Sequence, residues 1–181
     1  MNEKRNLIII EGQDRVGKDY LFQKLDIPSV YKFKSTATGY PDYRKEPKEF
    51  EQWVAGYLIG QAHTILALPE KNVMMVRFLY SDFVYSKLFK RRSVAQDLYQ
   101  MIAKEFNIYQ IIMLFKNYTE YRERCEMLGE PIEYNVEEFY ELIKIFEFNV
   151  SEVHASSKIY RTALVDPNEI EEHIISCIGS D

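Results

Sequence analysis

The sequence predicts an α/β fold: one parallel sheet of five strands with helices packed on both of its faces. Two observations predict it. Short apolar runs, the length of buried strands, alternate with longer amphipathic stretches along the chain, and that alternation builds crossover units whose strands run parallel. The first apolar run also ends at a glycine and passes within a few residues into helical sequence. With 181 residues, 46% of them apolar and 14% aromatic, the chain suffices for one domain with a sizeable core.

The elements follow in order. Leu7–Glu11 is an apolar run closed by an acid and reads as the first strand; Tyr20–Leu25 reads as the helix after it. Val30–Lys34, Val73–Arg77, Tyr109–Phe115 and Ile159–Val165 are the remaining strands. Amphipathic stretches predict helices over Phe50–Leu68, Leu79–Phe89, Val94–Phe106 and Val136–Val153, with a last one over Glu169–Ile178. The glycine- and proline-bearing segments Gly39–Arg44 and Leu128–Pro131 read as loops. There is no internal repeat, low-complexity tract or linker, so residues 1–181 form a single domain. Ligands of such sheets bind beyond the carboxyl ends of the strands, the edge where Gly12, Lys34 and Arg77 fall.

Composition excludes several classes of function. A formal net charge of −5 argues against a nucleic-acid-binding surface. The tight basic cluster Lys90-Arg91-Arg92 reads as a solvated helix end in preference to a phosphate site. No apolar run has the length of a membrane span and no secretory signal is apparent. Cys125 and Cys177 lie far apart without metal-like spacing, which suits a reducing, cytoplasmic setting.

The chemistry is concentrated in Gly12-Gln13-Asp14-Arg15-Val16-Gly17-Lys18-Asp19-Tyr20. Gly12, Gly17 and Lys18 have the G-x-x-x-x-G-K spacing of a phosphate-binding P-loop, and the strand before it and helix after it are the required context. Glycines let backbone N–H groups converge on a phosphate with no Cβ in the way. The helix N-terminus turns its positive dipole end toward the same anion. Lys18 supplies a mobile charge for β- and γ-phosphates. Asp19 breaks the pattern: it stands where Ser or Thr normally holds Mg²⁺.

Three further features converge on this edge. Arg15, inside the loop, has the position to stabilise a transferring phosphoryl group, a reading its place in the loop favours over a plain surface arginine. Arg77 closes an apolar strand, which suits bidentate phosphate binding; a salt-bridged structural arginine is an equal reading. Tyr118-Thr119-Glu120-Tyr121-Arg122-Glu123-Arg124, just after the fourth strand, reads either as a lid over the nucleotide that delivers an arginine such as Arg122 or as an exposed helix with i,i+4 ion pairs.

Glu11 through Lys18 closely resembles the E-G-x-D-[RG]-x-G-K loop of thymidylate kinases. Arg77, Phe78, Ser81 and Tyr85 match that family's D-R-[YF]-x-x-S-x-x-A-Y block; Leu58–His63 resembles the helix segment before it, Glu133-Tyr134 the tyrosine beside the deoxyribose, and Val165-Asp166-Pro167 the strand end near adenine. The resemblance runs the length of the chain in order, and only its first block is highly specific. It implies a three-layer P-loop kinase fold with a lid segment near 117–134, ATP and Mg²⁺ as cofactors, and transfer of a phosphoryl group to a deoxynucleoside monophosphate. By the same resemblance Asp14 contacts the acceptor's 3′-hydroxyl, Arg77 grips its phosphate, Arg15 bridges donor and acceptor phosphates, and either Lys34 or Arg44 is the basic residue after the second strand. Partners are then small-molecule nucleotides, and helix Phe50–Leu68 either pairs two subunits into a homodimer or packs on the sheet.

The departures matter too. Val76 replaces the acid before Arg77, so an acid near Mg²⁺ is missing from the strand while Asp19 appears on the helix. His63 stands where the family places an arginine near the base, and Ile59 where many members place a stacking Phe. The acceptor is therefore dTMP or a modified dUMP analogue. Two other readings stay open: a deoxynucleoside kinase, and a catalytically weakened nucleotide-binding protein kept for interaction.

Overall fold

A computed structural model describes residues 4–34, 37–151, 156–161 and 165–179. Among them five strands form one sheet in the order β2-β3-β1-β4-β5, every pairing parallel. The strands are β1 (Arg5–Gly12), β2 (Tyr31–Lys32), β3 (Asn72–Val76), β4 (Phe106–Leu114) and β5 (Ser156–Arg161). The helices are α1 (Lys18–Lys24), α2 (Pro47–Ala67), α3 (Leu79–Leu88), α4 (Ala95–Ile102), α5 (Tyr118–Leu128), α6 (Val136–Asn149) and α7 (Pro167–Ile178). The α/β fold with a five-stranded parallel sheet is the one the sequence predicts.

β1 is the central strand, and Leu7, Ile8, Ile9 and Ile10 are all fully buried, as expected where helices cover both faces of a sheet. The chain leaves β1 toward β2 and β3 on one side, then crosses back to β4 and β5 on the other. That reversal opens a crevice beside the carboxyl end of β1.

Several boundaries differ from the sequence reading. β4 begins at Phe106, inside the stretch read as the end of a helix, because Arg5 through Gly12 pair with Phe106 through Met113 along the whole of β1. β2 keeps only two ladder residues, against Val73 and Met74; beyond it Phe33 N still donates to Met74 O at 2.8 Å. β5 starts at Ser156, earlier than read, while residues 162–164 of that reading and 152–153 of the helix before it lie outside the described residues. The segment read as lid or exposed helix is helix α5, capped by the Asn117 side chain, with Tyr121 and Cys125 buried. Among the described residues no helix is long and apolar enough to cross a membrane.

Candidate active site

The loop after β1 is built around two glycines. Gly12 has φ 128°, and a Cβ there would lie 1.9 Å from Met113 O. The close approach of β1 to β4 therefore excludes any side chain at this point. Gly17, φ 96°, is the N-cap of α1. Between them Val16 is buried in the core.

Gln13 is used internally. Its amide oxygen accepts from Phe115 N at 2.7 Å and its own N–H donates to Met113 O at 3.2 Å, so the residue extends the β1–β4 join and offers no side chain to a ligand. Tyr20 is largely exposed, with Lys24 Nζ 5.7 Å from its ring centre.

Lys18 is buried and folded over the loop, its ammonium donating to the carbonyls of Gly12, at 2.9 Å, and Gln13. Burial, together with the nearby Arg77 charge, brings its pKa down to about 7, against the pull of Asp14, Glu11 and Asp19. Glu11 is equally buried. Its carboxylate accepts from Phe78 N at 2.8 Å, Tyr80 N at 3.1 Å and Ser81 Oγ at 2.5 Å, tying the end of β1 to the start of α3. Burial holds its carboxyl above the ordinary value despite these three donors.

The two arginines singled out in the sequence both sit at positive φ, Arg15 at 66° and Arg77 at 55°. Such backbone strain in non-glycine residues concentrates at functional sites. Arg77 follows β3, held by its N–H on Ile10 O at 2.9 Å, and its guanidinium pairs with Asp14. Burial works to raise the Asp14 carboxyl, but Arg77, then Lys18, hold it below the usual carboxylate value. Arg15 reaches outward to the α5–α6 connection, pairing with Glu130 and lying 4.0 Å from Glu133.

A cleft of about 920 Å³ opens beside Arg77 between α2 and α3. Trp53, Val54, Tyr57, Leu58 and Gln61 of α2 form its outer wall, Arg77, Ser81, Asp82 and Tyr85 its inner one, and Asp19 and Lys34 stand among its lining residues. Trp53 and Tyr57 stack 5.1 Å apart at 10°. Gln61 is buried; its Nε2 donates to Tyr57 OH at 3.1 Å, and its Oε1 has no partner among the described residues. Asp82 is saturated by Arg91 Nη1 at 2.5 Å, Ser93 Oγ at 2.6 Å and Val94 N at 3.2 Å. Arg91 is thus drawn into the cleft wall, and the basic cluster of the sequence is not simply a solvated helix end.

Other residues named from the sequence lie elsewhere. His63 is exposed, two residues beyond Gln61 and so roughly 200° around α2, outside the cleft lining; Ile59 faces outward with it. Arg44 is exposed, hydrogen-bonds Tyr43 and lies 3.9 Å from Glu133. Of the two basic candidates after the second strand, only Lys34 lines the cleft. Arg122 is exposed and pairs with Glu126 one turn on, at 3.6 Å, the geometry of the exposed-helix reading. Tyr134 is buried behind Tyr85, its hydroxyl accepting from Asp14 N at 2.9 Å, so it supports the loop from beneath. Asp166 caps α7, accepting from Asn168 N at 2.9 Å.

Sequence reasoning missed Trp53, Tyr57 and Gln61, although their i, i+4, i+8 spacing marks one helical face. It also missed Asp82 and Glu130, whose partners lie far away or across a turn.

No protein-family model matches the chain, and no curated protein sequence matches it. Solved structures do resemble it in shape. YorR protein from Bacillus subtilis, in complex with phosphorylated GDP, is 18% identical with a TM-score of 0.56, covering 96% of each chain. Thymidylate kinase from Candida albicans is 14% identical with a TM-score of 0.55, covering 99% of this chain and 93% of its own. Deoxyadenosine kinase from M. mycoides, with bound dCTP, is 17% identical with a TM-score of 0.54, covering 97% of this chain and 100% of its own. The chain has the fold of the P-loop nucleotide kinases.

Proposed function

We propose that the protein transfers the terminal phosphoryl group of ATP to the phosphate of a pyrimidine deoxynucleoside monophosphate, dTMP or a modified dUMP analogue, giving the diphosphate. The observation that carries this reading is the state of the carboxylates around Arg77. A hydroxyl acceptor needs a base to take its proton; a phosphate acceptor is already a nucleophile and needs positioning and charge neutralisation. Asp14 is engaged by Arg77, Asp82 by three donors and Glu11 by three more. Val76, just before Arg77, is apolar. The remaining carboxylate at the cleft, Asp19, is the one that fits Mg²⁺, so the site is rich in cations and poor in available bases, which supports a monophosphate acceptor over a nucleoside.

In this reading the loop backbone and Lys18 bind the donor phosphates, Arg77 grips the acceptor phosphate and Arg15 meets the transferring group. The stacked Trp53–Tyr57 wall and the buried Gln61 amide suit a heteroaromatic ring with a hydrogen-bonding edge. Mg²⁺ takes one or two carboxylates and completes its shell with phosphate oxygens and water. Among the described residues no group of three or more His, Cys, Asp or Glu is gathered for a metal, and the exposed Asp19 at the cleft is the carboxylate that fits. Bound there, the ion would neutralise phosphate charge.

The test is turnover with ATP and Mg²⁺ against a panel of deoxynucleoside monophosphates and the matching nucleosides. Diphosphate formed from a pyrimidine monophosphate is expected. Turnover of nucleosides alone would move the assignment to a deoxynucleoside kinase, and no turnover with sound nucleotide binding would leave a nucleotide-binding protein.

A further inference from the structure

The α5–α6 connection touches the P-loop at two consecutive residues. Tyr134 OH accepts from Asp14 N at 2.9 Å, and Glu130 takes the Nε of Arg15. Glu133 stands 4.0 Å from Arg15 Nη2 with one oxygen and 3.9 Å from Arg44 Nη2 with the other. The connection is itself anchored: Tyr134 stacks on the fully buried Tyr121 at 5.0 Å and 14°, and Glu133 N donates to Tyr121 OH at 3.2 Å.

A guanidinium has two usable edges in one rigid plane. Here the Nε–Nη2 edge faces Glu130 and Glu133. Nη1 is buried and has no partner among the described residues. A buried charged donor without a partner is costly, and the glutamates, by holding the opposite edge, fix the direction in which that donor points.

We propose that Glu130 is a positioning residue for Arg15: it holds the guanidinium by its Nε edge so that Nη1 is presented to the terminal phosphate of the donor nucleotide. This rests on the phosphoryl-transfer reading. It adds that a residue more than a hundred positions from the loop orients the loop's own arginine.

The test needs no knowledge of the acceptor. Calorimetry gives the dissociation constants of ADP and of a non-hydrolysable ATP analogue, and their ratio isolates the terminal phosphate. R15A is expected to lower the preference for the triphosphate by roughly tenfold, the scale of one charge-assisted hydrogen bond. E130Q should remove most of that preference while leaving ADP affinity and the melting temperature unchanged, since Glu130 is half-exposed. In the double variant E130Q should add nothing to R15A, because the two act as one unit. An unchanged ratio in E130Q, or effects that multiply in the double variant, overturns the proposal. A ratio that rises in E130Q also overturns it, by showing that Glu130 competes with the phosphate for Arg15. If no acceptor turns over and yet the ratio behaves as expected, the acceptor assignment fails and the role of Glu130 stands.

Discussion

Arg77 and Asp14 form an ion pair across the gap between the ends of β3 and β1. An acid of the glycine loop is thereby bound to the cation that lines the cleft beside α2. R77A should raise the acceptor KM strongly and the ATP KM much less, read from steady-state kinetics with each substrate varied in turn. Unchanged acceptor binding by calorimetry would remove Arg77 from the acceptor site. The pair also has a pH signature. The folded Asp14 pKa lies below the ordinary 3.8, so its stabilisation is complete above that value and lost as pH falls through the folded one. D14N should flatten that part of the acid-unfolding profile.

Binding of a nucleotide triphosphate should take up a proton at pH 8. Lys18 titrates near 7 in the free chain and is mostly neutral at that pH; an adjacent polyanion restores its charge. Calorimetry in buffers of differing ionisation enthalpy should show uptake approaching one proton at pH 8 and fading toward pH 6. K18A should abolish it and lower turnover by about 10² to 10³, the scale of a preorganised electrostatic contact. In the free chain the same shift makes stability rise with pH between about 7 and 10.5, because the unfolded lysine keeps its proton longer.

G12A should cost at least about 3 kcal/mol in urea denaturation, since it combines a forbidden backbone conformation with a clash against main chain. G39A, whose φ of 67° is also positive but whose Cβ meets nothing within 4 Å among the described residues, should cost only about 1 kcal/mol. Equal costs would mean that the β1–β4 approach is looser than it stands.

D19N should shift the Mg²⁺ dependence of turnover to higher concentration and improve metal-free nucleotide binding, because a carboxylate at the phosphates is unfavourable unless a cation lies between them. Identical Mg²⁺ titrations in the two proteins would reduce Asp19 to a charge complementing the α1 dipole.

The glycine loop was legible in the sequence because its parts are adjacent: strand, glycine spacing, lysine and helix lie within twenty residues. The cleft beside Arg77 was not, because its wall depends on the rotational phase of α2. Ile59 and His63 were picked out by their place in the family resemblance, which does not give the phase of the helix; the structure turns Tyr57 and Gln61 to the cleft instead. Arg91 was misread for a similar reason: its partner Asp82 is nine residues earlier, and only the turn after α3 brings them together. Phe106 was assigned to a helix because one apolar residue satisfies either period; pairing with Arg5 decides for the strand.

The three donors that Glu11 accepts from the start of α3 fix the separation between the two halves of the site. β1 and β3 are in register from Asn6 opposite Asn72 to Ile10 opposite Val76, and the carboxylate locks the next step. Gly12 and Arg77 therefore behave as two marks on one rigid ruler. If the proposed reaction holds, an acceptor is measured by length against that gap before its ring is read against α2, the wall outside the lock.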